Sequence, residues 1–188
     1  MTCSRRVLSD LNGNWQADVL FVAEAPGRLG AEKTGIPLFG DRTGDRFERL
    51  LREMRLDRHN VFITNAILCN PRDEDGNNGS PKSSEISNCS NLLRRTVDFV
   101  NPKVVVALGR IALEALKSIR QHDASLKADV AKIRQWGTRR LVVLYHPGPR
   151  TAIHRAWLDQ LDDARRVGKF LRLELKLSTT TDKIKNQR

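Results

Sequence analysis

The chain has 188 residues, 39% hydrophobic and 29% charged, a balance that excludes a disordered or fibrous protein and suits one domain with a sizeable core. Its 33 basic and 22 acidic side chains leave a net charge of +11, six of it within residues 165–188, and make a polyanion the natural partner. No apolar run reaches the roughly 18 residues of a bilayer span and no secretory signal opens the chain, so a cytoplasmic protein without membrane contact is expected.

In chain order, four apolar runs predict strands: 18–24 (DVLFVAE), 61–66 (VFITNA), 103–108 (KVVVAL) and 140–145 (RLVVLY). Each is apolar almost throughout, as parallel strands covered on both faces are. Helical spacing follows each strand. Phe47, Leu50, Leu51 and Met54 mark one helix, and Ile86, Leu93, Val97 and Val100 a second. Ile111, Leu113, Ala115 and Leu116 mark a third, and Ile153, Trp157, Leu161, Ala164 and Leu171 a fourth. Residues 70–84 are a polar loop, and 118–139 suggest an irregular helix before a turn at Gly137. The repeated order predicts an α/β fold, a three-layer αβα sandwich with a central four-stranded, mostly parallel sheet. It would fill residues 1–177 as a single, monomeric domain, with 178–188 as a mobile basic polar tail.

Ligands of open parallel sheets bind outside the carboxyl ends of the strands. The first strand here runs into Glu24-Ala25-Pro26-Gly27, the second ends in Thr64-Asn65, and the fourth delivers His146-Pro147-Gly148-Pro149. An amide such as Asn65 both donates and accepts, which suits the edge of a nucleobase. An imidazole such as His146 can stabilise charge on a leaving group, and Glu24 or Asp41 can orient water or steady a cationic sugar. Singly, each has a plainer role: a loop carboxylate, an Asn bonded to a turn, a packed His. Together at three strand ends they suit cleavage of a glycosidic bond.

These residues resemble the uracil-DNA glycosylase superfamily, over about Asp18 to His154. Ala23-Glu24-Ala25-Pro26-Gly27 is similar to the first motif, G-E-A/G-P-G, of the iron-sulfur branch called family 4. Thr64-Asn65 with Cys69-Asn70-Pro71 resembles the second motif, and His146-Pro147-Gly148 the third, H-P-S. Residues 35–45 (GIPLFGDRTGD) are closer to the broader-specificity family 5. The resemblance implies DNA as partner, excision of uracil by base flipping, and chemistry that needs no metal. It implies that Ala25, Pro26 and Gly27 cradle the base, that Asn65 pairs with its edge, and that His146 stabilises its departure. Water would fall to Asp41, preferred, or to Glu24, because Ala25 stands where other branches have an Asp. Phe39 is the candidate stacking plate, since Leu38 occupies the place of the family's usual Phe; Phe39 as a core residue is the alternative. Gly27 stands where a Tyr elsewhere blocks the thymine methyl, which leaves other deaminated bases open as substrates. Pro149 and Arg150 follow the third motif where a wedge is expected, and Arg150, His154 and Arg155 are candidate phosphate contacts.

Family 4 carries a four-iron, four-sulfur cluster on four thiolates. Cys3, Cys69 and Cys89 match three of those places, and no fourth is found. A start further upstream, a non-cysteine ligand and a lost cluster all stay open, and Cys89 also shares the apolar face of its helix. A catalytically silent relative that binds damaged or single-stranded nucleic acid is the competing function. A phosphate-loop enzyme is disfavoured, because Gly27, Gly30 and Gly35 do not make G-x-G-x-x-G.

Overall fold

The computed structural model describes the backbone of residues 5–185 and the side chains of residues 5–175. Five strands, β1 (Val19–Ala23), β2 (Phe62–Asn65), β3 (Val104–Leu108), β4 (Ile133–Trp136) and β5 (Arg139–Leu144), form one sheet in the order β2-β1-β3-β5-β4. β1, β2, β3 and β5 run parallel, and β4 lies antiparallel on the edge beside β5. The helices are α1 (Ala31–Thr34), α2 (Arg42–Met54), α3 (Ser83–Val100), α4 (Arg110–Ile119), α5 (Leu126–Asp129) and α6 (Trp157–Lys185).

Alternation along each buried strand divides the core into two. Val19, Phe21 and Ala23 join Val104, Val106 and Leu108 beneath α2 and α6, while Leu20, Val22, Val105 and Ala107 face α3 and α4. The α2 stripe of Phe47, Leu50, Leu51 and Met54 repeats at helical spacing, so one face is apolar and buried. Phe47 meets Phe21 edge to face with centroids 5.3 Å apart. α6 crosses α2 at Gly168, where an added Cβ would lie 2.5 Å from the Met54 backbone. A glycine there lets the two helices approach.

The sheet has five strands rather than the four expected from the sequence. The extra one, β4, falls in the segment 118–139, which holds the end of α4, the single turn α5 and β4 rather than an irregular helix. Ile133, Arg134 and Gln135 are exposed and only Trp136 is buried, so this edge strand has no apolar signature. Gly137, at φ 65°, makes the turn into β5. α6 continues to Lys185 and takes in residues 178–185 of the polar tail. Ile153 belongs to a 3-10 turn (Pro149–Ile153) before α6, and is exposed.

Because β1 is followed in sequence by β2 on one side and, after it, β3 lies on the other, the loops after these strands diverge. That switch in strand order opens a crevice at the carboxyl end of the sheet.

Candidate active site

A cleft of about 580 Å³ opens there. Glu24, Ala25, Pro26 and Gly27 from the loop after β1 line one side, and Leu38 and Asp41, just before α2, line another. His146, Gly148, Pro149 and Arg150, following β5, line a third, and the loop after β2, from Asn70 to Ser80, completes it.

Asp41 is the N-cap of α2, its Oδ1 accepting the Gly44 N–H at 2.9 Å. Its Oδ2 is packed against the loop after β1: a Cβ on Gly27 would lie 2.9 Å from it, and one on Gly30 2.5 Å. Glycines thus let the first motif close on this carboxylate. Burial pushes the Glu24 carboxyl above its ordinary range, with Arg110 working against the rise.

His146 Nδ1 accepts the Gly148 N–H at 3.0 Å. Burial lowers the ring's pKa to about 4, opposed by the charge of Asp41 and assisted by that of Arg46. The imidazole is therefore neutral near pH 7, and with Nδ1 accepting, its proton sits on Nε2. Gly109 N–H donates to the Leu144 carbonyl, and a Cβ on Gly109 would approach the His146 Cβ at 3.1 Å, so β3 and β5 end in contact beneath this ring.

Asn65 ends β2 in register with Ala23 and is buried, and its Nδ2 has no hydrogen-bond partner among the described residues. It is not among the residues lining the cleft, although Glu24, the next residue after its partner Ala23, is. Phe39 is not among them either. Leu38 lines the cleft and is 7% exposed, whereas Phe39 is 43% exposed. The cause lies in the backbone. Leu38 adopts φ 50°, and Arg58, paired with Glu48, donates to the carbonyls of Pro37 and Leu38 at 3.0 and 2.9 Å. That clamp turns Leu38 inward.

His154 is exposed and outside the cleft. Arg155 does not present a free guanidinium. It holds the buried Asp163 through two bonds of 2.8 Å, and Arg166 binds the same carboxylate. Arg155 thereby anchors the start of α6.

Of the wall formed by the 70–80 loop, the sequence marked only Asn70-Pro71, within the second motif, and the polarity of the rest. Asn70, buried and on the cleft, donates from Nδ2 to Glu32 at 3.0 Å and to Asn78 at 3.1 Å, while its Oδ1 has no partner among the described residues. Asn78 Oδ1 also accepts the Arg28 N–H, tying the loops after β1 and β2 together. The density of amides in NPRDEDGNNGS was the available signal.

Cys69 is buried and Cys89 is a half-buried free thiol on α3; Cys3 lies outside the described residues. Among the described residues no group of three or more His, Cys, Asp or Glu side chains is placed to hold a metal. A cluster taking four thiolates does not fit the three cysteines of this sequence, and no chemistry is derived through one.

A doubly covered parallel sheet thus brings a neutral histidine, two carboxylates and unsatisfied amides to its switch point, where α/β enzymes bind their ligands. The model of the uracil DNA glycosylase superfamily matches residues 12–169, and the chain belongs to that superfamily. It is 31% identical over 140 residues to the type-4 uracil-DNA glycosylase of Archaeoglobus fulgidus, covering 72% of this chain and 67% of that protein. The Thermotoga maritima type-4 enzyme is 33% identical over 140 residues with the same coverage. The type-5 uracil-DNA glycosylase of Pyrobaculum aerophilum is 29% identical over 155 residues, 73% of this chain and 64% of that protein.

Proposed function

We propose that this chain removes uracil from DNA by hydrolysing the N-glycosidic bond, leaving free uracil and an abasic site. The observation that carries the reading is the neutral His146 sharing one cleft with Asp41 and Glu24. A base inside a duplex cannot reach such a cleft, so the nucleotide flips out at a cost of a few kcal/mol. The base lies between the Ala25-Pro26-Gly27 backbone and Leu38. As the C–N bond breaks, its electrons pass to the base, and the Nε2–H of His146 donates to a carbonyl oxygen that gains the charge. Water adds to the sugar carbon. Asp41, or Glu24 in its place, orients that water and takes its proton, which ends on the released base. Asn70 on the cleft wall supplies its unpaired Oδ1 as an acceptor, and Asn65, behind the lining residues and in register with Ala23 next to Glu24, supplies its unpaired Nδ2 as a donor when the seated base reaches it.

The turn after His146 contributes Pro149 and Arg150 toward the strand, and the protein acts as a cytoplasmic monomer whose residues 1–177 form the working unit. Among the described residues, no helix is long and apolar enough to cross a membrane. Cys3, Cys69 and Cys89 would hold a cluster only with a fourth ligand; a colourless preparation made without air removes it from the account.

The test is incubation of purified protein with single- and double-stranded oligonucleotides carrying uracil, hypoxanthine or mismatched thymine, followed by alkali. Strand scission at uracil is expected. Tight, salt-dependent binding with no abasic product overturns the hydrolase and leaves a silent nucleic-acid binder.

A further inference from the structure

Beside the cleft, two arginines stand together with no salt bridge among the described residues. Arg42 and Arg46 lie four residues apart on α2, hence on one face of the helix, immediately after the cleft residue Asp41 and on either side of the cleft residue Thr43. The Arg46 guanidinium carbon sits 4.0 Å from the centre of the Trp157 ring, at the start of α6. Many other arginines of this basic chain are neutralised: Arg58 by Glu48, Arg155 by Asp163, Arg165 by Glu53 and Asp162. Among the described residues neither Arg42 nor Arg46 has a carboxylate or a hydrogen-bond partner. Burial and the neighbouring charge of Arg42 both disfavour the charged form of Arg46. The charge of Arg46 also reaches His146 inside the cleft.

We propose that Arg42 and Arg46, with Trp157 as backing plate, bind a phosphodiester of the DNA strand beside the flipped nucleotide. A guanidinium laid flat on an indole keeps its edge donors free, and its planar fork matches two phosphate oxygens. Its orientation is set before binding, so less side-chain freedom is lost when the anion arrives. The anion also relieves the repulsion between the two arginines. Position selects a strand backbone over free phosphate: Asp41 and Thr43, which flank Arg42, line the same cleft as Pro149 and Arg150. The site rests on the reading that DNA is the substrate.

Binding of an oligonucleotide with 2′-fluorodeoxyuridine, which resists hydrolysis, is measured against salt for the wild type, Arg46→Gln, Trp157→Leu and, as a charge control, Arg95→Gln on α3. Thermal melting confirms that each is folded. Arg46→Gln is expected to weaken binding equally with and without uracil and to lower the salt slope by about one. Arg95→Gln is expected to keep the wild-type slope. Trp157→Leu keeps both charges and is expected to weaken binding less than Arg46→Gln. In a series with one methylphosphonate at a time, one position should weaken wild-type binding and leave Arg46→Gln unaffected. A folded Arg46→Gln with the wild-type slope, or a series that affects both proteins alike, overturns the site. Alkali scission with wild-type protein separates the two ideas. Scission with an unaltered slope refutes the phosphate site alone, whereas a reduced slope without scission supports the site and refutes the hydrolase.

Discussion

The Gly148 N–H donates to His146 Nδ1 at 3.0 Å, and this one bond decides which ring nitrogen faces a ligand with a proton. A Cβ on Gly148 would stand 2.9 Å from that Nδ1. Gly148→Ala is therefore expected to displace the imidazole and to lower kcat. The loss should approach that of His146→Ala, on the order of 100-fold, as for removal of one donor to a developing anion. Single-turnover uracil release measures both; a Gly148→Ala enzyme with wild-type kcat would show that the ring position is immaterial.

Asp41 has two tasks that substitution can separate. As an N-cap it stabilises α2, and loss of such a cap costs about 0.5–2 kcal/mol, so Asp41→Ala should melt earlier as well as lose activity. Asp41→Asn retains an oxygen for the Gly44 N–H and should keep most of the stability while losing the charge. Comparing melting temperature with kcat for the two variants checks this. Full activity in Asp41→Asn would pass the water to Glu24.

Gly27→Ala acts on the same carboxylate from outside. Its Cβ would meet Asp41 Oδ2 at 2.9 Å and otherwise only Asn78, at 4.0 Å. The expected result is a fall in kcat of about tenfold or more with little change in melting temperature, because misplacing a reacting group by about 1 Å can cost 100-fold. Unchanged kinetics would show that the carboxylate can shift without consequence.

How much of this was legible follows from where the information lies. β1, β2, β3 and β5 are apolar runs within a residue or so of their bounds, since burial on both faces leaves no other composition. Of the trio read at strand ends, Glu24 and His146 line one cleft together with Asp41, the N-cap of α2, while Asn65 is not among the residues lining it. β4 was hidden because an exposed edge strand needs no apolar residues. Whether Leu38 or Phe39 faces inward depends on a positive φ and on Arg58, 20 residues away, which no local pattern encodes. The pairing of Arg155 with Asp163, eight residues further on, is likewise encoded in no local pattern.

Arg155 is accordingly expected to contribute to stability. Breaking a buried pair costs roughly 3–5 kcal/mol, and Arg166, which still holds Asp163, should keep the loss for Arg155→Ala near about 3 kcal/mol. Denaturant unfolding measures it. A variant of wild-type stability with weakened DNA binding would return Arg155 to the phosphate backbone.

The pH dependence follows from two groups moved in opposite ways from their ordinary values. His146 titrates near 4 in the folded chain against 6.5 when unfolded, so the unfolded chain binds the extra proton first. Its contribution to stability is present above pH 6.5 and is lost as pH falls through 6.5 toward 4. Glu24, raised by burial, has the opposite sign: folding is favoured while it is protonated, and that advantage is lost as pH rises from 4.5 through its raised folded value. Glu24→Gln removes this charge and should raise the melting temperature at pH 7. Activity should show no inflection near 6.5, because His146 is already neutral there, and its acid limb should lie lower, where a carboxylate protonates. A kcat/KM profile of the wild type, read beside one of Glu24→Gln, shows whether Glu24 sets that limb. An acid limb unchanged in Glu24→Gln excludes Glu24 as its source, and an inflection at 6.5 would show that His146 titrates as an exposed imidazole and cannot be the neutral donor.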